Sequence, residues 1–139
     1  MNIGILGTGI VGRSHAAKLV ALEHRVVIGT REVARTLAVD RPDAMGNPSF
    51  SDWQKEHPGM EIGTFAEAAA HGEVAINAIH GAATVETLQK VERGLEGKIL
   101  IESPNAVLQF QGRQLRPAGR AQLPQFAEGL SRRKGALAF

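Results

Sequence analysis

A run of glycines near the N-terminus, GTGIVG at residues 7–12, constrains the fold of this chain more than any other feature. It directly follows residues 2–6, a short apolar run with the composition of a buried strand. It opens residues 10–23, in which small and apolar side chains recur at helical spacing. A glycine loop between a strand and a helix is typical of the first strand–helix–strand unit of a dinucleotide-binding sheet.

Each glycine of this loop has an expected role. We expect Gly7 to make the tight turn, Gly9 to let the backbone approach a pyrophosphate, and Gly12 to let the helix pack closely on the sheet. The N-terminus of the helix would add unpaired N–H groups and partial positive charge. The alternative is a turn that binds nothing, and the surrounding strand and helix disfavour it.

Strand-like and helix-like segments alternate along the rest of the chain. Further strands are predicted at residues 25–29, 61–63, 73–79 and 98–102, and further helices at residues 32–39, from a capping box at Thr64 and Glu67 onward, and at residues 82–96. This alternation predicts an α/β fold, a Rossmann-type doubly wound parallel sheet in a single domain.

Two segments depart from the alternation. Residues 40–60 contain three prolines and two glycines, so we expect an irregular insertion held in place by Phe50 and Trp53. Residues 106–139 show no clear period, and a core strand is hard to place there.

The end of the second strand indicates which dinucleotide binds. An NAD enzyme usually has an acidic residue there to hold the ribose 2′-hydroxyl. This chain instead has Thr30 and Arg31, with Arg35 four residues further on, and we expect the two arginines to lie on one side of a helical turn. Two guanidinium groups and a hydroxyl suit a 2′-phosphate, which favours NADP. Glu32 leaves the NAD alternative open, because a longer strand would place its carboxylate at the ribose.

Charge and residue types exclude several other functions. Residues 106–139 carry six of the 16 Lys and Arg and one acidic residue, so the remainder carries 10 basic and 13 acidic side chains, a net charge of −3. The basic character therefore belongs to the C-terminal segment, and neither a basic groove nor a stacking platform for nucleic acid is predicted. The absence of cysteine excludes a thiolate zinc site, and the five histidines lack metal-ligand spacing, so no metal site is expected. With no signal-peptide pattern and no membrane span predicted, we expect a cytoplasmic protein.

Several stretches of the chain resemble the NADP oxidoreductases that depend on the deazaflavin coenzyme F-420. The resemblance covers about residues 1–105 and is carried by MNIGILGTGIVG, VVIGTR, FAEAA and GKILIE, at residues 1–12, 26–31, 65–69 and 97–102. It implies hydride transfer between NADP(H) and a deazaflavin or flavin-like acceptor, a small molecule. Such a transfer needs no obligatory acid–base residue, so no catalytic residue is singled out.

The resemblance also implies which residues contact the cofactor. In the family, the residues that match Thr8, Ile10 and Val11 line the phosphate loop. Those that match Thr30, Arg31 and Arg35 bind the 2′-phosphate. The nicotinamide lies near the residues that match Ala78, Ile79, His80 and Gly81. A lone histidine such as His80 is more often structural than functional.

The resemblance ends after Asn105. We therefore expect an NADP-binding domain over residues 1–105 and a divergent basic tail over residues 106–139, in place of the family's C-terminal region. An uncovered sheet edge after the fifth strand would invite a homodimer. The alternative to an oxidoreductase is a non-catalytic NADP-binding module or redox sensor.

Overall fold

The computed structural model describes residues 1–103, 107–111 and 114–117. Its centre is a five-stranded parallel sheet with the strand order β3-β2-β1-β4-β5. The strands are β1 Asn2–Leu6, β2 Arg25–Thr30, β3 Met60–Thr64, β4 Val74–Asn77 and β5 Ile99–Glu102. The helices are α1 Ile10–Ala21, α2 Val33–Ala38, α3 Phe50–Glu56, α4 Phe65–His71, α5 Gly81–Lys90 and α6 Glu92–Leu95. The α/β fold with a Rossmann-type parallel sheet is confirmed.

Apolar side chains on both faces of the sheet hold the helices in place. On one face, Ile5 and Ile28 are fully buried in a cluster that includes Phe50 and Trp53 of α3. On the other face, Leu6 is fully buried in a cluster with residues of α4, α5 and α6. Burial on both faces explains why β1 and β2 consist of continuous apolar runs instead of alternating patterns.

The strand order places a crevice beside β1. The chain runs from β1 to β2 and β3 on one side, and then crosses over so that β4 pairs with the other side of β1. The loops that leave the carboxyl ends of β1 and β4 therefore diverge to opposite faces of the sheet. In open parallel sheets, ligands bind at such a switch point.

The structure corrects the sequence prediction in the insertion. Within the segment predicted to be irregular, residues 50–56 form α3, and the Ser49 hydroxyl caps it by accepting a bond of 3.1 Å from the Asp52 amide. The two aromatic residues of the segment are buried, as predicted, because α3 packs them against the sheet. The cap lies among prolines and glycines, which obscured the short helix in the sequence.

Other boundaries also differ from the prediction. The single helix expected at residues 82–96 is two helices, α5 and α6, with a break at Val91. The capping box of α4 is confirmed, since the Thr64 hydroxyl accepts from the Glu67 amide and the Glu67 carboxylate accepts from the Thr64 amide.

In the C-terminal segment, where no strand was predicted, β6 Val107–Gln111 and β7 Gln114–Pro117 form an antiparallel pair separate from the parallel sheet. Within the described ranges, none of the helices is long and apolar enough to cross a membrane.

Candidate dinucleotide-binding site

The glycine loop turns sharply where β1 ends. Gly7 has a φ of +123°, and a Cβ atom on it would lie 2.6 Å from the Ala78 carbonyl oxygen. Its amide donates a bond of 3.0 Å to the Gly29 carbonyl. Gly7 is thus held between the loop that follows β4 and the end of β2, in a conformation that side-chain-bearing residues rarely adopt.

The other two glycines of the loop differ in their surroundings. A Cβ atom on Gly12 would lie only 1.9 Å from the Gly7 carbonyl oxygen, so α1 packs directly on the loop. A Cβ atom on Gly9 would meet nothing within 4 Å, and Gly9 is exposed as the N-cap of α1. The outer side of Gly9 is therefore open to a ligand, and the N–H groups of the first turn of α1 have no partner within the helix.

The three residues between the glycines of the loop lie at the same edge of the sheet. Thr8 and Val11 are half-buried, whereas Ile10 is 59% exposed at the start of α1. Because the Ile10 side chain is apolar, it cannot hydrogen-bond the unpaired N–H groups at the N-terminus of α1. These groups therefore remain available to a ligand.

The carboxyl end of β2 lies next to this loop, because Gly29 is bonded to Gly7 and Arg31 follows two residues later. Arg31 and Arg35 are both exposed. Arg31 precedes α2 instead of lying on it, so the expectation that the two arginines share one helical turn is wrong. Both side chains are nevertheless exposed, and Arg31 follows closely after Gly29, which is bonded to the glycine loop.

Thr30 and Glu32 have local roles that the sequence did not reveal. The Thr30 hydroxyl lies 2.7 Å from the Thr36 hydroxyl, which donates a bond of 3.0 Å to the Glu32 carbonyl. Either hydroxyl can be the donor in the first contact, which links Thr30 at the end of β2 to α2. Glu32 is the exposed N-cap residue of α2, beyond the end of β2.

The loop after β4 forms the other wall of the crevice. The Ala78 amide donates a bond of 2.8 Å to the Leu6 carbonyl, which ties this loop to the end of β1. Ile79 is buried, whereas His80 is exposed as the N-cap of α5. The buried Thr84 hydroxyl donates to the Ile79 carbonyl at 3.1 Å and so fixes the loop against α5.

The carboxyl ends of β4 and β5 carry a polar pair that the sequence does not predict. The fully buried Asn77 amide donates a bond of 2.8 Å to the Glu102 carboxylate, and the Asn77 side-chain oxygen accepts from the Ile79 amide. Burial raises the pKa of Glu102, and the bond from Asn77 offsets part of this effect. On the next residue, the Ser103 hydroxyl lies 2.9 Å from the His15 Nε2 atom and links β5 to α1. Asn77 and Glu102 lie in two predicted strands, and nothing local in the sequence marks their pairing.

We expect Glu102→Gln to stabilise the protein at neutral pH and to leave it unchanged at low pH. The folded-state pKa of Glu102 lies above the unfolded value, so its favourable contribution is fully present below about pH 4.3 and is lost as the pH rises through the folded pKa. The glutamine oxygen can still accept the Asn77 bond but carries no charge to desolvate.

Thermal unfolding of both proteins at pH 4 and pH 7 measures this effect. The Tm of Glu102→Gln should exceed that of the parent by more at pH 7 than at pH 4. Glu96→Gln, at an exposed position, serves as the matched control. A Tm difference that is the same at both pH values would contradict the burial of a charged carboxylate.

No group of three His, Asp or Glu side chains in the described part of the chain is arranged to hold a metal ion.

Comparison with known protein families agrees with this geometry. The model of the family described as "NADP oxidoreductase coenzyme F420-dependent" matches residues 2–106. The chain belongs to this family. No protein of curated function matches the sequence.

Several solved structures share the fold of this chain. A candidate F420-dependent NADP reductase from Arthrobacter sp. FB24 is 36% identical, with a TM-score of 0.78 over 94% of this chain and 56% of that protein. The imine reductase of Streptomyces aurantiacus is 17% identical, with a TM-score of 0.60 over 98% of this chain and 38% of that one. The N-terminal domain of HmdIII from Methanocaldococcus jannaschii is 18% identical, with a TM-score of 0.61 over 96% of this chain and 69% of that domain. The last two show the fold alone, and this chain spans little more than half of the Arthrobacter protein.

Proposed function

We propose that the protein binds NADP(H) at the glycine loop and transfers hydride between this cofactor and a deazaflavin or flavin-like acceptor. The observation that carries the choice of NADP is the end of β2, where exposed Arg31 follows Thr30 at the edge on which Gly7 and Gly29 meet. The acidic residue of an NAD enzyme is replaced there by a cation, and the nearest carboxylate in sequence belongs to Glu32, the N-cap residue of the next helix.

The described residues fit the parts of a dinucleotide. The open side of Gly9 and the N-terminus of α1 provide space, N–H donors and positive potential for the pyrophosphate. Arg31 and Arg35 provide charge-assisted donors for the 2′-phosphate, and Thr30 holds the end of β2 through Thr36.

The remaining chemistry belongs to the cofactor, which supplies the hydride when it is bound. The loop of Ala78, Ile79 and His80 would form the wall against the nicotinamide side, and its rigid attachment to Leu6 and Thr84 would hold that wall in place. The described residues position and shield the ring, so no acid–base residue is assigned to the hydride transfer itself.

The acceptor and the domain organisation are part of the same proposal. We assign residues 1–105 to the NADP-binding domain and residues 106–139 to a basic tail, and most of the tail lies outside the described residues. A homodimer and a cytoplasmic location remain predictions. Ile99 and Ile101 on the edge strand β5 are 42% and 37% exposed, which supports association through that edge.

The alternative is an NADP-binding module without turnover. It is consistent with the roles assigned above to the described residues, which concern the dinucleotide alone. Such a module would bind NADP as tightly as an enzyme does but would lack the surface that holds the acceptor.

One pair of measurements separates the two functions. NADPH oxidation should be followed with coenzyme F-420, FMN and ferric iron as acceptors, while NADP affinity is measured by calorimetry on the same preparation. We expect binding in the micromolar range that is typical of cofactors, about −8 kcal/mol, together with turnover on the deazaflavin. Tight binding without turnover on any acceptor would support the module, and failure to bind NADP would exclude both.

A further inference from the structure

The side chain of Arg13 joins the glycine loop to the insertion between β2 and β3. Its Nε atom donates a bond of 2.8 Å to the Thr8 carbonyl, inside the loop. Its Nη1 atom donates a bond of 2.6 Å to the Pro48 carbonyl, 35 residues away in sequence, and lies at the longer distance of 3.5 Å from the Ser49 carbonyl. A single guanidinium group therefore connects two backbone segments that are remote in sequence.

Side chains of the insertion, residues 40–60, surround this guanidinium group. The guanidinium carbon lies 5.5 Å from the ring centroid of Phe50 and 5.7 Å from that of Trp53, within the range of cation–π attraction. Burial lowers the pKa of Arg13, and the nearby Asp43 carboxylate partly offsets that effect. Asp43 is itself fixed, because it accepts bonds from the amides of Met45 and Asn47.

The bond to Thr8 determines how the loop presents its backbone. The Thr8–Gly9 peptide is trans, as are all the described peptide bonds, so the Thr8 carbonyl and the Gly9 N–H point in opposite directions. Because the carbonyl is held toward Arg13, the Gly9 N–H is directed away from it. Gly9 is exposed, and the position of its missing Cβ is open.

We infer that Arg13 is a positioning residue for the dinucleotide pyrophosphate: it holds the Thr8–Gly9 peptide in the orientation that offers the Gly9 N–H to the phosphate, and the insertion keeps Arg13 in place. This inference rests on the proposed binding of a dinucleotide at the glycine loop. It gives the insertion a role in cofactor affinity, although the insertion follows β2 and lies outside the glycine motif.

Two substitutions at Arg13 separate positioning from charge. Arg13→Lys keeps the charge and most of the alkyl chain but cannot donate to both carbonyl groups in fixed directions, and Arg13→Met removes the charge as well. Arg25 lies at the amino end of β2, away from the glycine loop. Arg25→Met is therefore the matched control for the loss of one exposed positive charge. Each protein is titrated calorimetrically with NADP and with 2′-AMP, which carries the 2′-phosphate but no pyrophosphate.

We expect both Arg13 variants to bind NADP at least about tenfold more weakly, the loss that corresponds to one hydrogen bond to a charged phosphate. Binding of 2′-AMP should remain within about twofold of the parent, and Arg25→Met should bind both ligands normally. Unchanged NADP affinity in Arg13→Lys, or an equal loss for both ligands, would overturn the positioning role, since the first indicates charge alone and the second general damage to the fold.

The parent protein tests the proposed function independently. If the parent binds NAD and not NADP, the choice of cofactor is wrong, and the same comparison with NAD and adenosine still tests Arg13. If the parent binds neither dinucleotide, both the proposed function and this inference are overturned.

Discussion

Replacing Arg31 with alanine should weaken NADP binding by about 10- to 100-fold and leave NAD binding nearly unchanged. A bond between a guanidinium group and a phosphate contributes about 1.5–3 kcal/mol, and each 1.4 kcal/mol corresponds to a factor of ten in affinity. NAD lacks the 2′-phosphate and therefore has nothing to lose at this position. Arg31 is exposed and takes part in neither β2 nor α2, so the substitution should not alter the fold.

The same experiment should include Arg35→Ala and the double variant. Arg35 lies on α2, four residues after Arg31, and we expect a smaller loss when it is replaced alone. Arg25→Ala provides the control, because its side chain is exposed at the amino end of β2, away from the glycine loop. If NADP affinity were unchanged in Arg31→Ala, or if the parent bound NAD as tightly as NADP, the assignment of the 2′-phosphate site would be wrong.

Two alanine substitutions within the glycine loop should have opposite consequences. Gly12→Ala places a methyl group 1.9 Å from the Gly7 carbonyl oxygen, and backbone cannot move aside cheaply. Although alanine favours helix by about 1 kcal/mol over glycine, the overlap should cost about 3 kcal/mol or more. The protein should therefore unfold at a lower temperature whether or not cofactor is present.

Gly9→Ala should instead preserve the fold and abolish most of the binding. Gly9 has a φ of −71°, which alanine adopts readily, and its Cβ would meet no protein atom within 4 Å. The reduced entropy of the unfolded chain and the weaker N-cap roughly cancel. The methyl group would occupy the open side of the loop, so we expect NADP affinity to fall at least about tenfold as phosphate bonds are lost.

Thermal unfolding without cofactor and calorimetry with NADP distinguish these two results. The expected pattern is a lower Tm for Gly12→Ala and a parental Tm with weak binding for Gly9→Ala. Parental NADP affinity in Gly9→Ala would show that the pyrophosphate does not approach this side of the loop, and would move the cofactor away from the N-terminus of α1.

The parts of the fold with local signatures were predictable from the sequence. Continuous apolar runs marked the buried strands, and Thr64 with Glu67 marked the start of α4, because a capping box depends on residues three apart. Helix α3 was missed because prolines and glycines surround its short stretch. The break at Val91 was missed because the apolar spacing continues through it.

Within the candidate site, too, the features with a local signature were predictable and the others were not. The glycine loop and the arginines after β2 were identified because each lies within a short contiguous stretch beside a strand end. The bond from Arg13 to Pro48 and the pair of Asn77 and Glu102 were not, since their partners are 35 and 25 residues apart and no spacing rule links them.

The sequence by itself therefore determined the class of fold, the position of the glycine loop and the cationic end of β2. Each of these follows from backbone preferences and periodicity that act over a few residues. Only the tertiary structure decided that the ends of β1, β2 and β4 meet around Gly7, and that the insertion holds Arg13 against the loop. These contacts depend on strand order and packing, which bring together groups that are distant along the chain.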